Sequence, residues 1–266
     1  MPPRILARLA VGDFYNRRML PGLWISVRQL LLPAHCAACG VPAPADGRLP
    51  LCERCGKTLA DLIASGHCPL CGRNAGPYTL TPEGCYFCRE FPVRFSAAVR
   101  VGPYAGPLRR LILRCKRERR AEIGEMLGRL LAERLALAPW ADLVDEVAPV
   151  PLHWTRRLGR GFNQADILVR SLAGAIGRKA RRRLVRVRAT PHQTGLPSIE
   201  RHENVRGAFA VRRGGAGVEG KRILIVDDVM TSGTTIGECT RSLKKAGARD
   251  VYVAVVATAD YDDPWA

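Results

Sequence analysis

The sequence predicts an α/β protein in which a small cysteine-rich module precedes a parallel sheet with helices on both faces. Three observations carry this expectation. Eight of the ten cysteines fall into four C-x-x-C pairs between residues 36 and 88. Beyond them, uniformly apolar runs alternate with amphipathic stretches, the pattern of strands buried on both faces and joined by crossover helices. One of these runs, ILIVDDVMTSGTT (223 to 235), breaks into two adjacent acids and then a string of small hydroxyl residues around one glycine.

At 266 residues and 47% apolar composition, the chain can fill one large core or two modest ones. Residues 1–33 mix arginine with Leu, Ile, Val and Trp. They lack the continuous apolar core and small-residue cleavage site of a secretory signal, so an amphipathic helix at about 23–31 is expected instead. No run reaches the roughly 18 uninterrupted apolar residues of a membrane span. A soluble, cytoplasmic protein is therefore expected.

The cysteines are Cys36 and Cys39, Cys52 and Cys55, Cys68 and Cys71, and Cys85 and Cys88, separated by gaps of 12, 12 and 13 residues. That near-regular beat is the spacing of zinc ribbons rather than of a disulfide scaffold. Gly40, Gly56 and Gly72 each follow the second cysteine of a pair, where a knuckle turn needs a permissive backbone to aim N–H groups at sulfur. A redox dithiol would need one pair beside a βαβ pattern, and secreted disulfides would need a signal sequence. Two structural Zn2+ ions are expected, closed by four thiolates each and without an open position for chemistry. Sequential pairing puts Cys36, Cys39, Cys52 and Cys55 on one ion and Cys68, Cys71, Cys85 and Cys88 on the other; interleaved ribbons would use the same eight. Cys115 and Cys239 stand alone on helical patterns and read as buried small hydrophobes.

Composition shifts after Cys88, which places a domain boundary near 92 and divides the chain into 1–33, a ribbon module at 34–92, and an α/β domain at 93–266. Strands are expected at 96–102, 143–151, 183–187, 222–228 and 251–258, and helices at about 107–137, 163–177 and 235–246, the last closed by Gly247. The glycine-rich stretch 212–221 reads as a surface connection.

Lysine and arginine outnumber acids 42 to 24, a formal charge of +18. Such an excess attracts polyanions, nucleic acid among them, although runs of like charge also serve as solvated faces. The basic residues cluster in LRRLILRCKRERR (108 to 120) and RKARRRLVRVR (178 to 188).

The acids Asp227 and Asp228 end the ILIV run, which places them in the crevice where parallel sheets bind ligands. Thr231, Ser232, Gly233, Thr234 and Thr235 are small enough for the backbone to wrap an anion, and they lead into a helix whose N-terminus favours negative charge. The hydroxyls add donors, while the carboxylates accept and so suit a vicinal diol. A phosphate beside a diol describes a ribose 5-phosphate.

The stretch resembles the 5-phosphoribosyl 1-diphosphate (PRPP) motif of type I phosphoribosyltransferases. With VAPVPLHWTRRLGRGFNQADILVRSLA (147 to 173), RVRATPHQTGLPSIERHENVRGAF (186 to 209) and the cysteine block, the chain resembles the ComF family over roughly residues 30–260. These are double-zinc-ribbon, phosphoribosyltransferase-like proteins of the ComFC and GntX types, linked to competence and DNA utilisation. The resemblance implies that the loop after the PVP strand faces pyrophosphate through Leu152, His153, Arg156, Arg157 and Arg160. Read on their own, these arginines can form an anion fork or a solvated turn. Asn163 and Gln164 would cap the following helix. Thr190, Gln193, Arg201, Asn204 and Arg206 would lie in a mobile lid or a static loop.

The implied substrate is PRPP with Mg2+, and Asp227 and Asp228 would bind, orient and stabilise a cationic sugar during loss of pyrophosphate, without transferring a proton. The acceptor is not legible. An enzyme transferring phosphoribosyl is one expectation; a non-catalytic PRPP sensor that associates with single-stranded DNA or another nucleic acid is the alternative.

Overall fold

The computed structural model describes residues 34–44, 50–118, 120–151, 164–188, 205–212 and 217–259. The N-terminal helix expected at 23–31 lies outside them, as do Leu152, His153, Arg156, Arg157, Arg160, Asn163, Thr190, Gln193, Arg201 and Asn204.

After two short helices, α1 (Glu53–Ala64) and α2 (Tyr86–Glu90), the chain runs through β1 (Ala97–Pro103), α3 (Gly106–Arg117), α4 (Ala121–Leu135), β2 (Glu146–Pro149), α5 (Gln164–Ala175) and β3 (Lys179–Ala180). It continues through β4 (Leu184–Arg186), β5 (Phe209–Val211), β6 (Arg222–Met230), α6 (Thr234–Lys245) and β7 (Asp250–Thr258). Five strands form one parallel sheet in the order β1-β7-β6-β2-β3, while β4 and β5 pair antiparallel beside it.

Because side chains alternate across a strand, β6 feeds two cores. Leu224 and Val226 face one with Tyr252, Ala254 and Val256 of β7, covered by α3, α4 and α5. Ile223 and Ile225 face the other with Val251, Val253 and Val255, covered by α6 through Ile236, Cys239 and Leu243. The period of two explains why these strands read as continuous apolar runs: both faces are buried.

The first cysteine module joins this core, whereas Cys68, Cys71, Cys85 and Cys88 form a small cluster of their own. Cys36, Ala37, Cys55, Leu59 and Ile63 belong to the same apolar cluster as Val99, Leu108 and Leu111. The helical stretch expected at 107–137 is two helices, α3 ending at Arg117 and α4 starting at Ala121, and α3 starts at Gly106 and Pro107. At the end of α6, Gly247 takes φ +89°, its N–H donates to Lys244 O at 3.0 Å, and Ala248 N–H donates to Leu243 O at 3.1 Å. These are the two bonds of a Schellman cap, as the glycine there predicted.

Candidate functional site

The sequence places the end of the central strand at the two acids, and the structure corrects this. β6 continues through them to Met230, because β7 is long enough to pair with it throughout: Asp227 opposes Val255 and Met230 opposes Thr258. On the other side β2 stops at Pro149, opposite Val226. Both acids therefore lie immediately past the last β2 partner, at the carboxyl end of the sheet.

Asp227 and Asp228 are half-buried. Asp227 accepts the Asp228 N–H at 2.8 Å. Lys116, from the last turn of α3, places Nζ 2.8 Å from Asp228 Oδ1. Burial opposes its charge, but Asp228, and Asp227 beyond it, hold it protonated with a raised pKa. Burial and the neighbouring Asp228 push Asp227 up to about 7. Burial thus favours the protonated form of Asp227, and the charge of Lys116 offsets that of Asp228, which eases the placing of two acids beside a loop suited to anions.

That loop is short. Thr231 to Gly233 connect β6 to α6, and Gly233 is the N-cap with φ +77°. This left-handed conformation is one that glycine alone adopts freely. Gly237 N–H donates to Gly233 O at 2.7 Å, which closes the first helical turn and leaves the preceding N–H groups of that turn at the helix's positive end. Ser232 Oγ and Thr234 Oγ1 lie 2.7 Å apart. The predicted group of Asp227, Asp228 and residues 231–235 is thus one continuous segment, and Lys116 joins it from a different element. A cleft of about 280 Å3 flanks the loop, lined by Thr231, Ser232 and Thr234, by Arg73 and Phe87 of the second cysteine module, and by Arg94 just beyond that module.

The eight cysteines form two separate sets, Cys36, Cys39, Cys52 and Cys55, and Cys68, Cys71, Cys85 and Cys88, each with all sulfurs within 4.8 Å of one another. The sequential grouping is the one present. Sulfur separations of 3.6 Å for Cys71 and Cys85, 3.7 Å for Cys39 and Cys52, and 3.8 Å for Cys68 and Cys88 are too long for disulfides, whose S–S is about 2.05 Å. They suit the edges of a tetrahedron with metal–sulfur bonds of about 2.3 Å, which are ~3.8 Å. Within each set the thiols divide: burial pushes Cys55 and Cys88 up to about 12, and Cys68 and burial push Cys71 up, while one thiol of each set is favoured as thiolate. Cys68 is held down to about 4 by Cys71 and by N–H groups of Cys71, Cys85 and Leu70. Burial opposes ionisation of Cys36, yet N–H groups of Cys52, Cys39 and Ala38 bring it to about 6.

Each set combines one knuckle turn with one helix start. Gly40 and Gly72 take φ +81° and +76° in the knuckles, but Gly56 lies inside α1, so its place after Cys55 reflects a helix rather than a turn. Cys115 and Cys239 are both buried, and burial pushes Cys115 up to about 11.

The basic clusters are largely engaged within the molecule. Arg114 donates to Ala37 O at 2.7 Å and to Glu118, and Lys116 pairs with Asp228. Arg182 pairs with Asp166, Arg183 with the buried Glu146, and Arg188 donates to Arg206 O at 2.9 Å. Sequence reasoning missed Lys116, Arg73 and Arg100. In a run such as RCKRERR, only the helical phase distinguishes the lysine that reaches the strand end.

Among known proteins, a model of the phosphoribosyl transferase domain matches residues 158–263. The DNA utilization protein YhgH of Salmonella typhi is 34% identical over 84% of this chain and 96% of its own length, and that of Escherichia coli K12 is likewise 34% identical with the same coverage. Competence protein F of Haemophilus influenzae is 31% identical over 79% of this chain and 90% of its own. Since relatives of both names align over about four fifths of this chain and at least 90% of their own length, the likeness extends beyond the transferase domain: the chain belongs to the ComF family.

Proposed function

We propose that this protein binds PRPP as its magnesium complex and transfers the phosphoribosyl group to an acceptor. The observation that carries the reading is the continuous segment from Asp227 to Thr235, in which an acid pair bonded to Lys116 adjoins a glycine-capped helix N-terminus at the carboxyl end of the sheet. Thr231, Ser232, Gly233, Thr234 and Thr235 would hold the 5-phosphate, and Asp227 and Asp228 would accept the ribose hydroxyls. Leu152, His153, Arg156, Arg157 and Arg160 would face the pyrophosphate. With the sugar fixed at both ends, loss of pyrophosphate leaves positive character on the ring, which the carboxylates stabilise while the acceptor attacks from the opposite face. Lys116 would balance their charge before and after that step.

Both cysteine sets would hold zinc, one ion each. Four thiolates leave no open coordination position, so the metals would contribute folding energy. We place the domain boundary near residue 92 and the protein in the cytoplasm; no helix among the described residues is long and apolar enough to cross a membrane.

The names of the relatives favour a second reading, a PRPP sensor that acts on DNA handling without turnover. PRPP consumption measured against nucleobases, amines and single-stranded DNA separates the two. Pyrophosphate release with any acceptor supports transfer. PRPP-dependent affinity for single-stranded DNA without release supports the sensor.

A further inference from the structure

Arg73 ties the second cysteine set to the loop after β6. Its backbone belongs to the knuckle: Cys68 N–H donates to Arg73 O at 2.9 Å, and Arg73 N–H donates to the Cys71 sulfur. Its side chain lies over the Phe87 ring, 3.8 Å from guanidinium carbon to centroid, and Phe87 stands between Cys85 and Cys88 in the other half of the set. From that platform Nη2 donates to Thr231 O at 2.7 Å. The knuckle itself is pressed onto the strand ends. Thr258 Oγ1 donates to Gly72 O at 3.1 Å, and a Cβ on Gly72 would meet Thr258 Cγ2 at 3.4 Å and Met230 Cε at 3.7 Å.

The first module supplies an internal control. There Cys36 N–H donates to Val41 O at 2.7 Å, the bond that Arg73 accepts in the second. Val41 is 48% exposed, whereas Arg73 is 7% exposed. The knuckle is therefore built equally well without an arginine, and burying a guanidinium is costly unless it is bonded. What Arg73 adds is the bond to the loop.

We propose that Arg73 is a positioning residue that fixes the Thr231–Thr235 loop in its anion-binding conformation and makes that conformation depend on an intact second cysteine set. The inference rests on reading the loop as the 5-phosphate site. The physical link is the planar trans peptide: its C=O and N–H point in opposite directions. Holding the Thr231 carbonyl toward Arg73 thus fixes the Ser232 N–H to point away from the ribbon. Freed from the guanidinium, that peptide can rotate, and one donor of the loop loses its direction.

Arg73→Met keeps an unbranched stem for Phe87 and removes the donor. In the zinc-loaded full-length protein we expect unchanged metal content, amide exchange at 231–235 that is several-fold faster without ligand, and affinity for Mg·PRPP about tenfold weaker. Arg73→Lys should recover part of both effects. Unchanged exchange in Arg73→Met would overturn the proposal, and so would a fall in metal content, which would make Arg73 a support of the cluster itself. Because exchange is read without PRPP, a wild type that binds no PRPP while Arg73→Met still exchanges faster would overturn the phosphate reading, and the proposal with it, while leaving the structural link standing.

Discussion

Lys116 Nζ lies 2.8 Å from Asp228 Oδ1, joining the last turn of α3 to the far end of the central strand. The two side chains are 24% and 19% exposed, so the pair is neither fully screened by water nor fully desolvated. Its loss should cost more than a surface ion pair and less than a buried one. Lys116→Met is expected to destabilise the protein by about 1–2 kcal/mol in chemical denaturation, because Asp227 and Asp228 would then face each other without a cation. Adding Asp228→Asn should recover most of this. No change in the single variant would show that the lysine is solvated.

Asp227 gives stability a pH dependence of defined sign. Burial raises its folded-state pKa to about 7 from the ordinary aspartate value of 3.8. The folded state therefore keeps a proton that the unfolded chain releases, and the stabilisation is complete below about 4 and lost as pH climbs through about 7. Denaturant titrations across this window should show wild-type stability falling relative to Asp227→Asn. Parallel curves would refute the assignment.

Arg100 is 1% exposed in β1. It donates to Gly66 O at 3.1 Å, Ser65 Oγ at 3.2 Å, Asn74 Oδ1 and Thr258 Oγ1, which clamps the second cysteine module to two strands. Arg100→Met should cost about 2–4 kcal/mol by leaving these acceptors without a donor. A loss below about 0.5 kcal/mol would contradict the clamp.

Much of this was legible because it rests on local rules. The C-x-x-C spacing marked both cysteine sets, the apolar runs marked β1, β2, β4, β6 and β7, and Gly247 marked the end of α6. The acid pair with the hydroxyl loop was visible as a single stretch. What was not legible depends on the third dimension. The strand beyond Asp228 exists because β7 pairs with it, and Arg73, Arg100 and Lys116 look like any other basic residues until packing decides which are buried. Net charge could not show, for the same reason, that several members of the two basic clusters hold carbonyls and carboxylates of this chain. β5 was missed because Phe209–Val211 is too short to show a period.

The central claim is that the segment from Asp227 to Thr235 binds PRPP, and ligand-induced thermal stabilisation tests it most directly. A ligand that binds the folded state raises stability as RT ln(1 + [L]/Kd), so the melting temperature of the wild type should rise with the concentration of Mg·PRPP. Asp227→Asn with Asp228→Asn keeps the shape of the pair and removes its charge. Gly233→Val forces a branched residue into φ +77° and distorts the cap of α6. Both variants are expected to fold and to show almost no shift. A wild type that does not shift at millimolar Mg·PRPP, or variants that shift as it does, would contradict the account.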